Sequence, residues 1–248
     1  MRHVIALSGG KDSTALALRL RELNPDVDYT YVCTPTGDEL PEMFEFWRWL
    51  GSDEGLGVRL IPIMNGTLKS VIAAEGMLPN FRARFCTRIL KIEPYRRFLK
   101  EQAALGPIVS YVGLRADEPG RAGGAYDDIE GVEMRFPLRE WGWGEQEVQD
   151  SLAARGIRCP DRTDCARCYH QRLGEWYELW LNHRDIFNDA VTDELVRSAT
   201  YRTPGRDTWP SALIDLAVRF ENGEKPDKSL NRLLRERQLV GSCRVCRM

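Results

Sequence analysis

The sequence lacks the features that mark several specialised classes of protein. It contains only three histidines, and 35 Lys and Arg nearly balance 37 Asp and Glu, for a formal net charge of −2. This balance excludes a histone-like or polybasic protein but is compatible with a local basic patch. No apolar run approaches the roughly 18 residues of a membrane helix, and the N-terminal stretch lacks the apolar core of a secretion signal. We therefore expect a cytoplasmic protein without a membrane partner.

The sequence contains seven cysteines, and the cytoplasm, where we expect the protein, is a reducing compartment. Clustered thiols in such a compartment hold metals or carry redox chemistry more often than they form disulfides. Cys165 and Cys168 are spaced so that both sulfurs can face one ion, and the turn before them can bring in Cys159. With Cys86 they make four candidate ligands for a [4Fe–4S] cluster or a structural Zn²⁺, between which spacing does not choose. Thiols without a metal are the alternative.

A second CxxC pair, Cys243 and Cys246, lies near the C-terminal end among arginines. Neighbouring cations favour the reactive thiolate form of a cysteine. The pair is therefore a candidate redox or sulfur-carrying site, and a functionless terminus is the alternative.

Short β-rich apolar runs alternate with helical patterns through the first part of the chain. They predict strands at residues 3–7, 29–34, 58–64 and 108–114, and helices that include residues 43–50 and 91–105. This alternation is typical of an α/β fold with a parallel sheet flanked by helices. After residue 138, Gly, Pro, Trp and Arg become frequent, and helices separated by loops follow. We expect an α/β domain at residues 1–150 and a smaller helical, cysteine-containing subdomain at residues 151–248.

The segment Ser8-Gly9-Gly10-Lys11-Asp12-Ser13 joins the first strand to the first helix and predicts a phosphate site. Glycines let backbone N–H groups approach a phosphate, and a helix N-terminus adds a partial positive charge. The hydroxyls and the Lys11 ammonium add donors, whereas the Asp12 carboxylate needs a capping role or a metal to be tolerated there. An ordinary strand-to-helix turn is the alternative. The segment matches neither a Walker A motif nor GxGxxG.

Five segments, in chain order, resemble the PP-loop ATP pyrophosphatases and the phosphoadenosine phosphosulfate (PAPS) reductases. The first is the SGGKDS loop. The others are TGDELPE at residues 36–42, CTRILKIEP at 86–94, GLRADE at 113–118 with Arg121, and the Pro, Leu, Trp and Val pattern at 137–148. The chain is thus identified as a member of this adenine nucleotide alpha hydrolase-like superfamily, which implies a Rossmann-like (HUP-type) sheet.

The motifs follow predicted strands, so they should meet at the carboxyl edge of the sheet, where ligands bind in open α/β folds. The resemblance implies an adenine nucleotide there, as ATP, PAPS or adenosine phosphosulfate (APS). The candidate nucleotide-binding residues are Ser8, Gly9, Gly10, Lys11, Asp12, Ser13, Gly37, Arg88, Lys91, Arg115, Glu118 and Arg121. The candidate catalytic residues are Lys11, Asp12, Asp38 and Arg115, and the candidate Mg²⁺ ligands are Asp12, Asp38 and Glu39.

The resemblance implies two reactions. In the pyrophosphatase branch, a substrate oxygen attacks the α-phosphorus of ATP, and the adenylylated product is prepared for sulfur transfer. In the reductase branch, a cysteine thiolate attacks the sulfur of PAPS or APS. Cluster-bearing reductases carry two adjacent cysteines and a Glu-Cys-Gly-x-His tail, whereas here Phe85 precedes Cys86 and the tail differs. The chain is more similar to the DndC/SspD-type enzymes of DNA phosphorothioation, so adenylylation is the first hypothesis, sulfonucleotide reduction the second and a catalytically silent nucleotide-binding module the third.

Residues 82–97 contain six Lys or Arg and one Glu. A nucleic-acid contact and a solvated helix face are both compatible with this pattern. The other candidate partners are a sulfur-donor protein, such as a cysteine desulfurase or thioredoxin, and a second copy of the chain.

Overall fold

The computed structural model describes residues 1–121, 126 and 128–227, and within them five strands form a single sheet. The strands are β1 (Arg2–Ala6), β2 (Tyr29–Cys33), β3 (Leu60–Pro62), β4 (Ile108–Tyr111) and β5 (Val132–Arg135). Their order in the sheet is β3-β2-β1-β4-β5, and every neighbouring pair is parallel. The predicted parallel sheet is confirmed.

The sequence predicted the buried strands and missed an edge strand. All four residues of the inner strand β4 are buried, because helices cover both faces of the sheet. The edge strand β5 alternates half-buried with exposed residues and includes the charged Glu133 and Arg135, so it has no continuous apolar run. Pro62 ends the opposite edge strand, where its missing N–H costs no ladder bond, and the next residue, Ile63, donates to the Cys33 carbonyl at 2.8 Å.

The helices follow the strands in the order expected of a parallel sheet. The α-helices are α1 (Lys11–Leu23), α2 (Pro41–Gly51), α3 (Leu68–Glu75), α4 (Phe85–Thr87), α5 (Glu93–Ala103), α6 (Pro137–Glu140), α7 (Glu145–Ala153), α8 (Leu173–Asn182), α9 (Arg184–Arg197) and α10 (Leu213–Glu221). None of the helices in this part of the chain is long and apolar enough to cross a membrane.

The helix predicted at residues 91–105 belongs to a longer helical stretch. A π-helical turn at Arg88–Ile92 connects α4 to α5, and Pro94 is the second residue of α5. Proline has no N–H to donate and its ring conflicts with the carbonyl four residues earlier, so a widened turn before it relieves the local packing. The turn places Lys91 and Arg88 on different sides of the helix: Lys91 lines the cleft described below, and Arg88 is exposed.

Three apolar clusters hold the fold together. One lies between the sheet and α1, α2 and α7, and a second covers the opposite face of the sheet with α5. The third gathers α8, α9 and α10 around the fully buried Trp176, and it also includes Leu68 of α3 and Leu90 of the π-helical turn. This third core therefore draws residues from both sides of position 150, and the domain division at that position stays a prediction.

Candidate functional site

A cleft of about 210 Å³ opens at the carboxyl ends of β1, β2 and β4. The chain winds from β1 outward to β3 and then returns to β4, so the cleft lies where the winding direction changes. Its lining combines polar groups, backbone donors and apolar side chains, which suits a ligand that carries both a charged group and a ring. The residues that line the cleft include Ser8, Gly10, Asp12, Ser13, Glu39, Trp47, Lys91, Tyr95, Gly113, Arg121, Tyr126 and Thr163.

The predicted phosphate loop forms the floor of this cleft. Gly9 has φ +83°, the left-handed conformation that glycine adopts without steric cost. Gly10 is the N-cap of the 13-residue helix α1, and its carbonyl accepts the Thr14 N–H at 3.0 Å. The Ser8 hydroxyl lies 3.1 Å from the Ser13 hydroxyl and accepts the Gly10 N–H at 3.3 Å. The loop thus brings the positive end of α1 directly to the cleft.

The segment after β4 comes unusually close to the first turn of α1. A Cβ atom at Gly113 would lie 3.1 Å from the Asp12 carbonyl carbon and 3.1 Å from the Ser13 nitrogen. Both neighbours are backbone atoms, so a side chain there would push the strand end and the helix apart. The GLRADE motif begins with glycine for this steric reason.

Arg115 pairs with carboxylates instead of lining the cleft. Its side chain is 1% exposed and lies 3.3 Å from Asp12, 2.9 Å from Asp117 and 3.4 Å from Glu118. Burial alone would lower the pKa of Arg115, but the hydrogen bond to Asp117 and the charges of Asp12 and Glu118 raise it. Among the described residues that line the cleft, Lys91 and Arg121 are present and Arg115 is not. The structure thus explains how Asp12 is tolerated beside a phosphate loop: Arg115 neutralises it.

Glu118 and Arg121 form a buried ion pair with a separation of 2.6 Å. Arg139, which the sequence analysis did not select, donates to the carbonyls of Glu118 at 2.7 Å and of Arg121 at 2.5 Å. Arg139 directly follows Pro137 and Leu138, so its position inside the 137–148 motif could have indicated it. The three side chains fix the loop that carries Arg121 to the cleft.

Asp38, a predicted catalytic residue, is buried against the cysteine-bearing segment. Its carboxylate accepts the Arg167 Nε–H at 2.6 Å and the Arg167 backbone N–H at 3.0 Å. Arg167 also donates to Asp193 at 2.7 Å. Burial raises the pKa of Asp38, although the bonds from Arg167 oppose the shift. Asp38 therefore connects the loop after β2 to residues 165–168, through an arginine that no sequence motif indicated.

Glu39 is the predicted Mg²⁺ ligand with an open oxygen. Its Oε1 accepts the Thr36 backbone N–H at 2.7 Å and the Thr36 hydroxyl at 2.6 Å. Its Oε2 is buried and has no hydrogen-bond partner among the described residues, and the side chain lines the cleft. Because Asp12 and Asp38 are both paired with arginines, Glu39 fits a cation better than either.

The remaining predicted nucleotide-binding residues occupy different surroundings. Lys11 is half-buried as the first residue of α1. Gly37 has φ +68° in an exposed turn, and a Cβ atom there would lie 2.8 Å from the Thr67 methyl carbon. The conformation of the turn therefore accounts for glycine at position 37. The Arg88 side chain is 58% exposed and pairs with Glu93 at 2.5 Å.

The basic stretch at residues 82–97 is partly neutralised within the chain. Arg88 pairs with Glu93, Arg96 pairs with Asp128, and Arg97 donates to the Asn65 side chain at 3.3 Å. Carboxylates thus pair with two of the six cations that motivated a nucleic-acid contact, whereas Asn65 leaves the charge of Arg97 in place. A nucleic-acid partner stays a prediction.

Three of the four predicted metal-binding cysteines lie together. Cys165 and Cys168 are buried in the third core, and Cys86 packs against the same core. Burial raises the pKa of Cys165 to about 12. Burial, and after it the charges of Asp164 and Cys165, raise the pKa of Cys168 well above its ordinary value. The Cys165 sulfur lies 3.2 Å from the Thr36 hydroxyl. In the absence of a metal, these thiols are protonated at neutral pH.

The fourth cysteine, Cys159, lies in the core beneath α1, where burial raises its pKa to about 11 although the nearby Thr14 opposes the shift. The structure therefore does not bring Cys159 to the other three. Across the described ranges, no three His, Cys, Asp or Glu side chains are arranged to hold a metal ion. The four-thiol metal site stays a prediction, as does the role of Cys243 and Cys246, which lie outside the described residues.

Two cleft residues had no motif to indicate them. Trp47 of α2 donates its indole N–H to the Ser8 carbonyl at 2.9 Å. Thr163 lies over the phosphate loop, since a Cβ atom at Gly10 would be 3.5 Å from the Thr163 hydroxyl. The segment between Cys159 and Cys165 thus crosses the cleft, a placement that only long-range contacts determine.

The fold and cleft define an α/β protein with a glycine loop and a helix N-terminus at the point where the sheet reverses its winding. Residues 2–159 match the family described as the phosphoadenosine phosphosulfate reductase domain. This match covers more than half of the chain, and the chain belongs to that family.

Two relatives and two solved structures are similar to the chain. The nin region protein ORF290 of Escherichia phage lambda is 23% identical over 241 residues, which cover 82% of this chain and 79% of that protein. Protein MJ0066 of Methanocaldococcus jannaschii is 29% identical over 116 residues, which cover 46% of this chain and 23% of that protein. A Candida auris PAPS reductase in complex with phosphate superposes with a TM-score of 0.49 at 15% identity, covering 64% of this chain and 75% of that one. The U34-tRNA thiolase NcsA of Methanococcus maripaludis, with its [4Fe–4S] cluster, has a TM-score of 0.47 at 14% identity, covering 92% and 75%.

Proposed function

We propose that this protein is an ATP pyrophosphatase that adenylylates a substrate and prepares it for sulfur transfer. The observation that carries the proposal is the start of α1, where a left-handed glycine and a helix N-cap open into a cleft beside Lys91 and Arg121. Backbone donors and cations in this arrangement suit a polyphosphate. The apolar and aromatic lining, which includes Tyr95 and Tyr126, suits the nucleobase.

In the proposed reaction, a substrate oxygen attacks the α-phosphorus of ATP. The bond from the α-phosphorus to the bridging oxygen of the β-phosphate breaks, and pyrophosphate leaves with both bonding electrons. The loop amides, Lys91 and Arg121 stabilise the charge that develops on the leaving group. Lys11, at the N-terminus of α1, adds a further cation near the same loop.

A divalent cation fits this site at Glu39, because a buried carboxylate oxygen without a partner is costly until it meets a cation or a donor. Glu39 would hold Mg²⁺ there, and the ion, when bound, would supply positive charge beside the phosphates. Asp12 and Asp38 serve other roles in the proposal: Asp12 holds Arg115 against α1, and Asp38 holds Arg167.

Cys86, Cys165 and Cys168 share one core and are the thiols that we propose for a metal or a [4Fe–4S] cluster, although no three such side chains among the described residues are arranged to hold one. Binding would require these side chains to move toward one another and to lose their protons. When bound, zinc would brace the fold and a cluster would supply sulfur or electron chemistry. Cys159 has no part in this assignment, because it lies with Thr14 beneath the phosphate loop.

The test incubates the protein with Mg²⁺ and ATP labelled at the α-phosphorus, together with DNA, transfer RNA or small-molecule acceptors. A cysteine desulfurase with cysteine serves as the sulfur source. We expect substrate-dependent release of pyrophosphate and AMP, which Lys91→Ala lowers at least about tenfold, since a cation that contacts the phosphates is lost. Arg88→Ala is the matched control and should stay within about twofold, because Arg88 is exposed and paired with Glu93.

Sulfonucleotide reduction is the second candidate, and the family match favours it because the family is described by that activity. Sulfite release from PAPS or APS with thioredoxin, without pyrophosphate release from ATP under any condition, would replace the first proposal with this one.

A further inference from the structure

A side chain outside every motif holds the phosphate loop from one side. The indole N–H of Trp47 donates to the Ser8 carbonyl at 2.9 Å. The same ring packs on the loop so closely that a Cβ atom at Gly9 would lie 2.6 Å from Trp47 Nε1 and 3.1 Å from the Met43 methyl. Trp47 also lines the nucleotide cleft. One residue of α2 therefore contacts both the loop and the space that a ligand would fill.

The bond from Trp47 determines which way one peptide group of the loop faces. In a planar trans peptide, the Ser8 carbonyl and the Gly9 N–H point in opposite directions. Gly9 has φ +83°, and glycine tolerates either sign of φ, so this peptide could turn over at little steric cost. Turned over, it would present a carbonyl oxygen where an amide hydrogen had been. An anionic ligand would then meet repulsion in place of a donor.

We propose that Trp47 is a positioning residue, which holds the Ser8–Gly9 peptide so that its amide is presented to the phosphates of the ligand. The inference rests on the proposed function only in taking residues 8–13 as the phosphate site. Neither substrate turnover nor the identity of the acceptor enters it. Met43, which is fully buried, supports the ring and the glycine from the same helix.

Trp47→Phe tests the inference, because it keeps an aromatic ring and removes the N–H donor. Trp49→Phe is the matched control: Trp49 lies on the same helix, packs against the same core and stacks on Phe46 with ring centroids 5.4 Å apart. Calorimetry with inorganic pyrophosphate should show binding weakened about fivefold or more in Trp47→Phe, the effect of one lost hydrogen bond. Trp49→Phe should stay within about twofold of the wild type. Equal affinities in the three proteins, or equal losses in both variants, would overturn the inference.

A positioning role also makes a spectroscopic prediction that a loss of packing does not. In ¹H–¹⁵N spectra, the Gly9 amide of Trp47→Phe should be shifted or broadened without ligand and should return to the wild-type position at saturating pyrophosphate. A Gly9 resonance that is unchanged by the substitution contradicts the proposal. If the variant does not fold, exchange of the Trp47 indole hydrogen in the wild type decides: pyrophosphate should slow it, and an unchanged rate counts against the role.

The outcomes separate this inference from the proposed function. A wild-type protein that binds pyrophosphate but never releases it from ATP removes the proposed reaction and leaves Trp47 to be judged by the variants. A wild-type protein that binds neither pyrophosphate nor phosphate overturns both.

Discussion

The cleft and the thiol core, which is the part of the third core that holds Cys165 and Cys168 with Cys86 against it, lie side by side, yet they are built in opposite ways. The cleft presents backbone donors of the 8–13 loop, which attract an anion without needing a buried counter-charge. The thiol core is closed: Cys165, Cys168 and Arg167 are each at least nine-tenths buried. Its ionisable groups therefore either pair within the chain, as Arg167 does, or stay neutral, as the thiols do. One region is open to a ligand, and the other must exchange protons for a metal before it can hold one.

Two adjacent residues connect these regions. Asp38 pairs with Arg167 on the thiol side, while Glu39 lines the cleft with an oxygen that has no hydrogen-bond partner in the described part of the chain. The Thr36 hydroxyl donates to Glu39 and lies 3.2 Å from the Cys165 sulfur. The TGDELPE motif is thus the structural link between the predicted nucleotide site and the predicted metal site.

The largest expected effect is on metal content, which should differ between variants of Cys165 and Cys159. If Cys86, Cys165 and Cys168 hold a metal, Cys165→Ser should lose it, whereas Cys159→Ser should retain it, because Cys159 lies apart beneath α1. The measurement is metal analysis with the visible spectrum of anaerobically purified protein, in which iron–sulfur absorption or stoichiometric zinc identifies the group. Loss of metal in Cys159→Ser would restore the four-thiol site.

Arg167→Gln tests how much the buried ion pairs stabilise the closed thiol core. It leaves the buried Asp38 and the largely buried Asp193 without their shared partner, so we expect a loss of about 3 kcal/mol in the free energy of unfolding. Denaturant unfolding measures it. The control is Arg158→Gln, which removes the exposed pair with Asp161 and should leave stability unchanged. Similar effects from both substitutions would show that the buried pair contributes no more than the surface pair.

Gly113→Ala tests the open cleft, where the segment after β4 approaches α1. The added Cβ atom meets backbone atoms of Asp12 and Ser13 at 3.1 Å, so we expect stability to fall by about 2 kcal/mol and pyrophosphate binding to be lost. Gly120→Ala is the control, because no atom of the described residues lies within 4 Å of its Cβ position. Thermal unfolding and calorimetry measure the two effects. Normal pyrophosphate binding by Gly113→Ala would show that the close approach of the β4 segment to α1 is not required for the site.

The smallest effect is a pH dependence in the helical core. Burial raises the pKa of Glu194 to about 7, although the N–H groups of Tyr201 and Leu213 oppose the shift. The folded protein then holds a proton that the unfolded chain releases near its ordinary pKa of 4.5. Stability should therefore fall, by on the order of 2 kcal/mol, as the pH rises from about 4.5 to about 7, and then level off.

Denaturant unfolding at pH 5 and pH 8 measures this change, with Glu194→Gln as the comparison. The substitution should lower stability at both pH values, since Gln keeps one acceptor oxygen for the two backbone N–H groups that now donate to the two oxygens of Glu194, and it should remove this part of the pH dependence. An identical difference between pH 5 and pH 8 in both proteins would assign the effect to other groups.

The sequence predicted those parts of the molecule that depend on local pattern. Four strands, the start of α1 and the loop at residues 8–13 were recovered, because apolar runs, glycines and turn residues specify them within a few positions. β5 was missed, since its alternating charged residues are typical of many surface segments. Arg88, chosen from its motif, turned out to be exposed, because the π-helical turn before Pro94 decides which side chains face the cleft.

Contacts between distant residues account for the rest of the site. Arg115 and Asp12 are 103 residues apart, and Thr36 and Cys165 are 129 apart. Four side chains that were not among the predicted site residues complete the site: Trp47, Arg139, Thr163 and Arg167.

By itself, the sequence determined the fold class, the family and the glycine loop that starts α1, because backbone conformation and hydrophobic periodicity depend on neighbouring residues. Tertiary structure alone decided which charges are neutralised, which carboxylate stays open and which cysteines share a core. The physical reason is that burial and pairing depend on what packs against a side chain in three dimensions, and spacing along the chain does not encode this.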